Sequence, residues 1–68
     1  MGNVVLTTLR EARGMSQAEL AAKLGISASA MSAYELGTRI PRDELKVRIA
    51  KYFGVSVVDM FYSDLHVM

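Results

Sequence analysis

The sequence predicts an all-α fold of five short helices. Apolar residues recur at three- and four-residue spacing along most of the 68 residues, and each periodic stretch is bounded by residue types that start or end helices. The sequence has no stretch in which apolar and polar residues alternate beside hairpin turn residues. Such a stretch would indicate a small sheet. We therefore expect helices over residues 4–13, 17–24, 28–36, 42–53 and 57–63, in one domain that spans residues 1–68.

The first helix is predicted to begin after Asn3, a residue type that favours the N-cap, and to end at Gly14. Ser16 and Glu19 have the spacing of a capping box, which predicts the start of the second helix. Four apolar residues form the inner face of the first helix: Val5, Leu6, Leu9 and Ala12.

The second and third helices are two short amphipathic segments separated by a glycine, the pattern of a helix-turn-helix. Gly25 lies where the second helix must stop and the chain reverse, a position that favours positive φ. Ser27 can cap the third helix, and Gly37 ends it. Ala21 is small where the two helices must cross. The apolar faces of this pair carry Leu20, Ala21 and Leu24, followed by Met31 and Tyr34. A helix-turn-helix presents its second helix to the major groove of DNA.

The fourth helix is predicted to follow Pro41, because proline cannot continue a preceding helix. Asp43 and Glu44 place negative charge near its N-terminus, where the helix dipole favours it. Gly54 ends it, and Ser56 caps the fifth helix. Apolar residues on the buried side of the fourth helix are Leu45, Ile49, Tyr52 and Phe53.

Composition excludes several classes of protein. The chain has no cysteine and one histidine, so disulfides are excluded and a structural metal site is not expected. No apolar run approaches the roughly 18 residues of a membrane span, and the first residues lack the charge of a secretory signal. No nucleophile is paired with a base. We expect a cytoplasmic protein that is not an enzyme and needs no cofactor.

Charge is distributed unevenly although the formal net charge is only +1. All eight Lys and Arg residues and five of the seven acidic residues lie in residues 1–53, which therefore carry +3, whereas residues 54–68 hold two acids and no Lys or Arg. The predicted helix-turn-helix thus lies in the basic part. This distribution predicts a modest surface for the phosphates of a nucleic acid.

Taken in order, these residues resemble the Xre-like helix-turn-helix family, the Cro and phage-repressor type of regulators. The resemblance covers nearly the whole chain and implies a compact lambda-repressor-like domain that binds double-stranded DNA at an operator, usually as a dimer and more often for repression. Four segments carry it: Leu9-Arg10-x-x-Arg13-Gly14-x-Ser16-Gln17-x-Glu19-Leu20-Ala21, Leu24-Gly25-Ile26-Ser27, Ser32-x-Tyr34-Glu35-x-Gly37-x-Arg39-x-Pro41 and Ile49-Ala50-x-Tyr52-Phe53-Gly54-Val55-Ser56.

The resemblance implies DNA contacts from both helices of the motif. Gln17 is expected to meet a phosphate at the start of the second helix, with a solvated polar side chain as the alternative. Ser16 is shared between capping and phosphate contact, and capping is favoured. Arg10 and Glu35 are expected to form an ion pair that orients the third helix, with a phosphate contact by Arg10 as the alternative. Residues at the N-terminal part of the third helix are expected to face DNA: Ser27, Ala28, Ser29, Ser32 and Ala33.

The residues expected to face DNA are smaller than in many relatives, which place Gln, Arg or Asn here. Alanine and serine cannot make the bidentate bonds that those side chains make to adenine or guanine. Specificity is then modest, or depends on DNA shape, or comes from Arg39 and flanking residues. These small residues could also serve packing alone and read nothing.

Phosphate contacts are also expected from the loop after the third helix, through Thr38, Arg39 and Arg42, with Arg39 the strongest candidate. Arg13 could reach phosphate or remain a solvated charge. The other cations are interpreted mainly as a solvated face: Lys23, Lys46, Arg48 and Lys51.

The last twelve residues carry more apolar side chains than the end of a small monomer needs. This excess predicts a homodimer interface at Val58, Phe61, Tyr62 and Leu65. The alternative is that Phe61 and Met60 fill the core and the last five residues fray.

A second function class also stays open, a protein-interaction module of the antirepressor or antitoxin-partner kind. Such a module would use the same scaffold and the apolar segment 57–68.

Overall fold

Five α-helices follow one another along residues 2–62, the part of the chain that the computed structural model describes. The helices are α1 (Val4–Ala12), α2 (Gln17–Leu24), α3 (Ala28–Leu36), α4 (Asp43–Phe53) and α5 (Val57–Phe61). The predicted all-α class is confirmed. The bounds differ by one residue at the end of α1 and at the start of α4, and α5 ends two residues earlier than predicted.

Side-chain caps define where the helices begin. The Asn3 carboxamide oxygen accepts a hydrogen bond from the Leu6 N–H at 2.9 Å. Ser16 accepts from the Glu19 N–H at 3.0 Å, while the Glu19 carboxylate accepts from the Ser16 N–H at 2.9 Å, so the predicted capping box is present. Ser27 and Ser56 cap α3 and α5 in the same way. Each cap satisfies a backbone donor that the first turn of a helix leaves without a partner.

The turn between α2 and α3 depends on Gly25. Its φ of 71° lies in the left-handed region, and its N–H donates to the carbonyls of Ala21 and Ala22. A side chain at this φ would cost about 1–2 kcal/mol, which explains the glycine predicted there. The reversal lets α2 and α3 pack directly against each other, with Ala21 buried between the helices.

Every helix contributes one large side chain to the centre of the core. The five fully buried residues are Leu6, Leu20, Met31, Ile49 and Met60. Burial of one such side chain stabilises the fold by about 1.5–3 kcal/mol. Ala12, expected on the inner face of α1, is instead exposed, because α1 ends at that residue. Within residues 2–62, no helix combines the length and apolar character needed to cross a membrane.

The start of α1 is tied to the ends of two other helices. The Asn3 N–H donates to the Glu35 carbonyl at 3.0 Å, and the Asn3 carboxamide nitrogen donates to the Met60 carbonyl at 3.1 Å. Residues 35 and 60 are near the ends of α3 and α5. Asn3 therefore joins α1 to both helices, to α3 through its backbone N–H and to α5 through its side chain, which fixes the outward face of α3 relative to the core.

Candidate nucleic-acid interface

The outer face of α3 carries the residues that were expected to read DNA. Ala28 and Ser29 are exposed, and Ser32 and Ala33 are half-buried on the next turn. Residues spaced by four lie on one side of a helix, so these four positions share a face. The opposite side of α3 is held in the core by Met31 and Tyr34. The structure thus presents a continuous surface of small side chains from a rigidly packed helix.

A polar network fastens α3 to α1 and α2. The Arg10 guanidinium donates to the two carboxylate oxygens of Glu35 at 2.7 and 3.1 Å, and Thr7 donates to the same carboxylate at 3.0 Å. Arg10 also donates to the Met15 carbonyl at 2.7 Å, which holds the loop before α2. The structure therefore brings the expected partners Arg10 and Glu35 together, and the guanidinium is engaged inside the fold.

Glu35 is ionised inside this network. Burial by itself would raise the pKa of the Glu35 carboxyl, but hydrogen bonds from Arg10, Gln17 and Thr7 and the positive charge of Arg10 lower it below its ordinary value. The bond to Glu35 correspondingly raises the pKa of Arg10. An ionised carboxylate with several donors holds them in fixed positions.

Gln17, expected to meet a DNA phosphate, is also a member of this network. Its amide nitrogen donates to Glu35 at 3.1 Å, across 18 residues of sequence. An amide NH₂ group has two hydrogens, so one remains for another acceptor. Neighbouring Ser16 uses its hydroxyl oxygen as the cap of α2. The structure therefore orients the Gln17 amide at the start of α2, a contact that sequence reasoning did not anticipate.

A cationic surface lies beyond the C-terminal end of α3. Arg39 and Arg42 are exposed and line, with Arg48, a groove of about 300 Å³ that also touches Glu44. The Arg39 guanidinium carbon lies 5.7 Å from the centre of the Tyr34 ring, which restrains the side chain by a cation–π contact. Thr38 donates to the Ala33 carbonyl at 3.4 Å. The expected loop residues are thus gathered next to the C-terminal end of α3.

Arg48 is exposed, as predicted for a solvated face, but it also makes a contact to α2 that was not predicted. Its guanidinium donates to the Leu24 carbonyl at the C-terminal end of α2, where a positive charge is favoured by the helix dipole. Helix α4 thereby supports the turn of the helix-turn-helix. The sequence offered no local signal for this contact, because residues 24 and 48 come together only when α4 packs.

Lys46 was predicted to lie on a solvated face, and this prediction is wrong. Only 9% of the residue is exposed, and its ammonium nitrogen lies 2.6 Å from the Tyr62 hydroxyl oxygen. The same nitrogen lies 4.8 and 5.8 Å from the ring centres of Tyr62 and Phe61. The aromatic residues after α4 could have indicated that Lys46 is buried, because a lysine on the inner side of a helix needs cation–π partners.

Arg13, left open between phosphate contact and solvation, lies over two aromatic rings. Its guanidinium carbon is 5.2 Å from the ring centre of Tyr52 and 4.8 Å from that of Phe53, and the side chain donates to the Tyr52 carbonyl at 3.3 Å. These contacts join α1 to the end of α4. Lys23 and Lys51 are exposed, as a solvated face requires.

Three of the four residues predicted to form a dimer interface lie in the described part of the chain. Val58 is 44% exposed on α5, whereas Phe61 and Tyr62 are half-buried. Both aromatic rings contact Lys46. Leu65 lies outside residues 2–62. Val58 is therefore the predicted interface residue with the most surface available for a second chain.

Comparison with known proteins assigns the family. The sequence model of a family described as Helix-turn-helix matches residues 6–60, which include all five helices except the first two residues of α1 and the last of α5. The chain belongs to this helix-turn-helix family. This helix-turn-helix protein is 41% identical over 56 residues to an uncharacterized HTH-type transcriptional regulator of Methanocaldococcus jannaschii, a match that covers 81% of the chain and 85% of that regulator.

A second relative is a phage protein. The helix-turn-helix chain is 35% identical over 52 residues to the cryptic phage CTXphi transcriptional repressor RstR of Vibrio cholerae. This match covers 76% of the chain and 47% of the repressor. The family expected from the four sequence segments is therefore confirmed.

Proposed function

We propose that this protein is a sequence-specific DNA-binding regulator of transcription, acting as a dimeric repressor at an operator, with α3 in the major groove. The observation that carries the proposal is the geometry of α2 and α3: α3 is locked by Arg10, Glu35 and Gln17 and turns a continuous face outward. The names of the two relatives, a transcriptional regulator and a transcriptional repressor, support the same function.

DNA is held in this proposal chiefly by phosphate contacts on both sides of α3. At one side, the second hydrogen of the Gln17 amide and the free N–H groups at the start of α2 face a phosphate. At the other side, Arg39 and Arg42 meet the backbone across the groove. The small side chains of α3 allow its backbone to approach the bases closely, so that thymine methyl groups and single hydroxyl contacts contribute to recognition.

Selection of bound sequences from a random pool of duplex DNA tests the proposal. A dimeric operator-binding protein should enrich a motif with two related half-sites about 34 Å apart, one turn of DNA. Ser29→Glu, which places a negative charge on the outer face of α3, should abolish binding. Thr8→Glu adds the same charge at an exposed position of α1 and should bind normally. Enrichment of no motif by the wild-type chain would contradict sequence-specific binding.

The alternative is a protein-interaction module on the same scaffold. It is favoured by one observation, the absence of long polar side chains at the four expected reading positions, Ala28, Ser29, Ser32 and Ala33. Affinity for random duplex DNA at several salt concentrations distinguishes the two functions. A DNA-binding protein should show weak binding that falls steeply with salt, whereas an interaction module should show no such binding.

A further inference from the structure

A cavity of about 410 Å³ opens between the start of α1, the loop after α3 and the end of α5. Its walls are largely apolar, and its size falls within the range of small-molecule sites, about 300–1,000 Å³. We propose that this cavity binds a small carboxylate with an apolar body and that the bound molecule weakens DNA binding. The apolar walls include Val4, Val5, Ile40, Pro41, Met60 and Phe61.

The first reason is the buried ammonium group of Lys46, which lines the cavity. An ammonium has three N–H donors. Among residues 2–62, the Tyr62 hydroxyl at 2.6 Å is the acceptor that lies within hydrogen-bonding distance of this nitrogen. The Asp43 carboxylate lies farther away, at 3.8 Å, and its side chain is almost fully exposed. The described residues thus offer this ammonium one hydrogen-bond acceptor for three donors, and a carboxylate in the cavity would accept from a second donor.

The second reason is the charge of the cavity as a whole. Arg39 also lines it, so two cationic side chains face a space bounded by apolar side chains. Within the described part of the chain, no Asp or Glu side chain forms its wall. One anionic group beside an apolar body matches this lining better than a neutral molecule or a multiply charged phosphate, because the apolar walls offer few partners to further charges.

The effect on DNA rests on the proposed function, because one residue of the cavity, Arg39, belongs to the candidate interface. Arg39 is the principal candidate for phosphate contact, and Tyr34, on which its guanidinium stacks, is a core residue of α3. A carboxylate that pairs with Arg39 would compete with DNA phosphate for the same guanidinium. The cavity would thereby couple a small acid to the affinity for DNA.

Titration of the full chain with 4-phenylbutyrate, compared with the neutral 4-phenylbutan-1-ol, tests the cavity without DNA. We expect saturable binding of the acid, about tenfold tighter than that of the alcohol, since a charge-assisted hydrogen bond distinguishes them. Chemical shifts in ¹H–¹⁵N spectra should change at the start of α1, in the loop around Ile40 and at the end of α5. Equal affinities, no saturable binding, or shifts confined to another surface would each overturn the proposal.

Lys46→Met isolates the ammonium, since methionine keeps the apolar stem of the side chain. This variant should lose the preference for acid over alcohol, whereas Lys51→Met, which removes an exposed charge from the same helix, should retain it. A Lys46→Met chain that fails to fold leaves the wild-type comparison of acid with alcohol as the deciding measurement. Retention of the preference by a folded Lys46→Met chain would overturn the role of Lys46.

The effect of the bound acid on DNA affinity is measured separately. Addition of saturating 4-phenylbutyrate should lower the affinity of the wild-type chain for its selected DNA severalfold and leave the affinity of Lys46→Met unchanged. Because probe binding is measured without DNA, a chain that binds no DNA refutes the proposed function and not the cavity. Phe61 and Tyr62 also belong to the predicted dimer interface. A chain that sediments as a dimer and binds no probe would overturn the small-molecule assignment.

Discussion

At the scale of single residues, Glu35 determines how the candidate interface is held. Its side chain is 5% exposed and accepts hydrogen bonds from Thr7, Arg10 and Gln17, which lie on α1 and α2. A buried carboxylate is costly unless its oxygens are satisfied, and here each oxygen has a charged or polar donor. The same contacts that offset the cost of burial also position the start of α2 against α3.

Replacement of Glu35 should therefore change both stability and its dependence on pH. Glu35→Gln should lower the free energy of unfolding by about 3 kcal/mol at pH 7, because Arg10 loses its buried partner. The pKa of Glu35 is lowered in the folded chain, so its contribution is complete above the unfolded value, about 4.3, and disappears as the pH falls through the folded pKa. Urea unfolding between pH 7 and pH 2.5 measures both effects.

The matched control for this experiment is Glu44→Gln, which changes an exposed acid at the start of α4. Its stability should follow that of the wild-type chain across the pH range, apart from a small loss of the favourable interaction with the helix dipole. A constant difference between Glu35→Gln and the wild-type chain down to pH 2.5 would contradict the ionised state of Glu35.

Arg39 is the residue on which the phosphate contacts can be tested most directly. Arg39→Ala should weaken DNA binding and reduce the slope of log affinity against log salt by about 1, since one phosphate contact is lost. Fluorescence anisotropy with labelled duplex at several salt concentrations gives this slope. Lys51→Ala, which removes an exposed charge from α4, should leave the slope unchanged. An unaltered slope for Arg39→Ala would remove this residue from the interface.

At the scale of secondary-structure elements, capping decides where α2 begins and hence how its N-terminus faces DNA. Ser16 and Glu19 exchange two hydrogen bonds across the first turn. The backbone hydrogen bond from Ser16, followed by that from its side chain, lowers the pKa of the Glu19 carboxyl. The capping box closes the first turn of α2 directly beside Gln17. The start of α2 and the expected phosphate contact of Gln17 therefore depend on each other.

Loss of this cap should lower the stability of the folded chain by a measurable amount. Ser16→Ala should lower the free energy of unfolding by about 1 kcal/mol, because the Glu19 N–H loses its acceptor. Ser29→Ala, at an exposed position of α3, should leave stability nearly unchanged and affect DNA affinity alone. Thermal unfolding of the two variants separates the roles. Equal stability losses would show that Ser16 contributes no more than an ordinary surface serine.

At the scale of the whole molecule, the distribution of exposed apolar residues bears on assembly. Val58 on α5 and Val47 on α4 are exposed to nearly the same extent, 44% and 45%. A dimer through α5 would cover Val58 in both copies. Phe61 and Tyr62 are less available for this contact, since their rings pack against Lys46.

Val58→Asp should therefore shift the chain from dimer to monomer, because an interface cannot bury an unpaired carboxylate without cost. Val47→Asp introduces the same change at an equally exposed position outside the predicted interface and should keep the mass of the wild-type chain. Light scattering over a range of concentrations measures both. A wild-type chain that is monomeric at all concentrations would refute the homodimer.

Much of the fold could be predicted because its determinants are local. Asn3, Ser16, Ser27 and Ser56 begin helices through bonds to residues three positions away. Glycine at position 25 follows from the left-handed backbone of a tight reversal. Spacing along the first four helices also predicted most of the buried face, and one fully buried residue from every helix forms the centre of the core.

Within the candidate site, the types of residue could be predicted but not their partners. Gly2 illustrates the difficulty: its backbone approaches the Glu35 carbonyl oxygen so closely that a Cβ there would clash with it, and no local pattern predicts this approach. Lys46 was interpreted as solvated because a charge run on a helix is usually exposed, and exposed Arg48 was given no partner for the same reason. Their partners, Tyr62 and Leu24, lie outside α4, and so the periodicity of α4 alone could not identify them.

The sequence by itself determined the five helices, their caps, the helix-turn-helix and the position of small side chains on α3, because each depends on neighbours within about one turn of helix. Only the tertiary structure decided that Gln17 joins the Arg10–Glu35 pair, that Arg48 supports the turn at Leu24, and that Lys46 faces a cavity beside Arg39. The hydrogen bonds that Gln17, Lys46 and Arg48 donate join residues 16 or more positions apart, and they form only after the helices pack and exclude water from the groups between them.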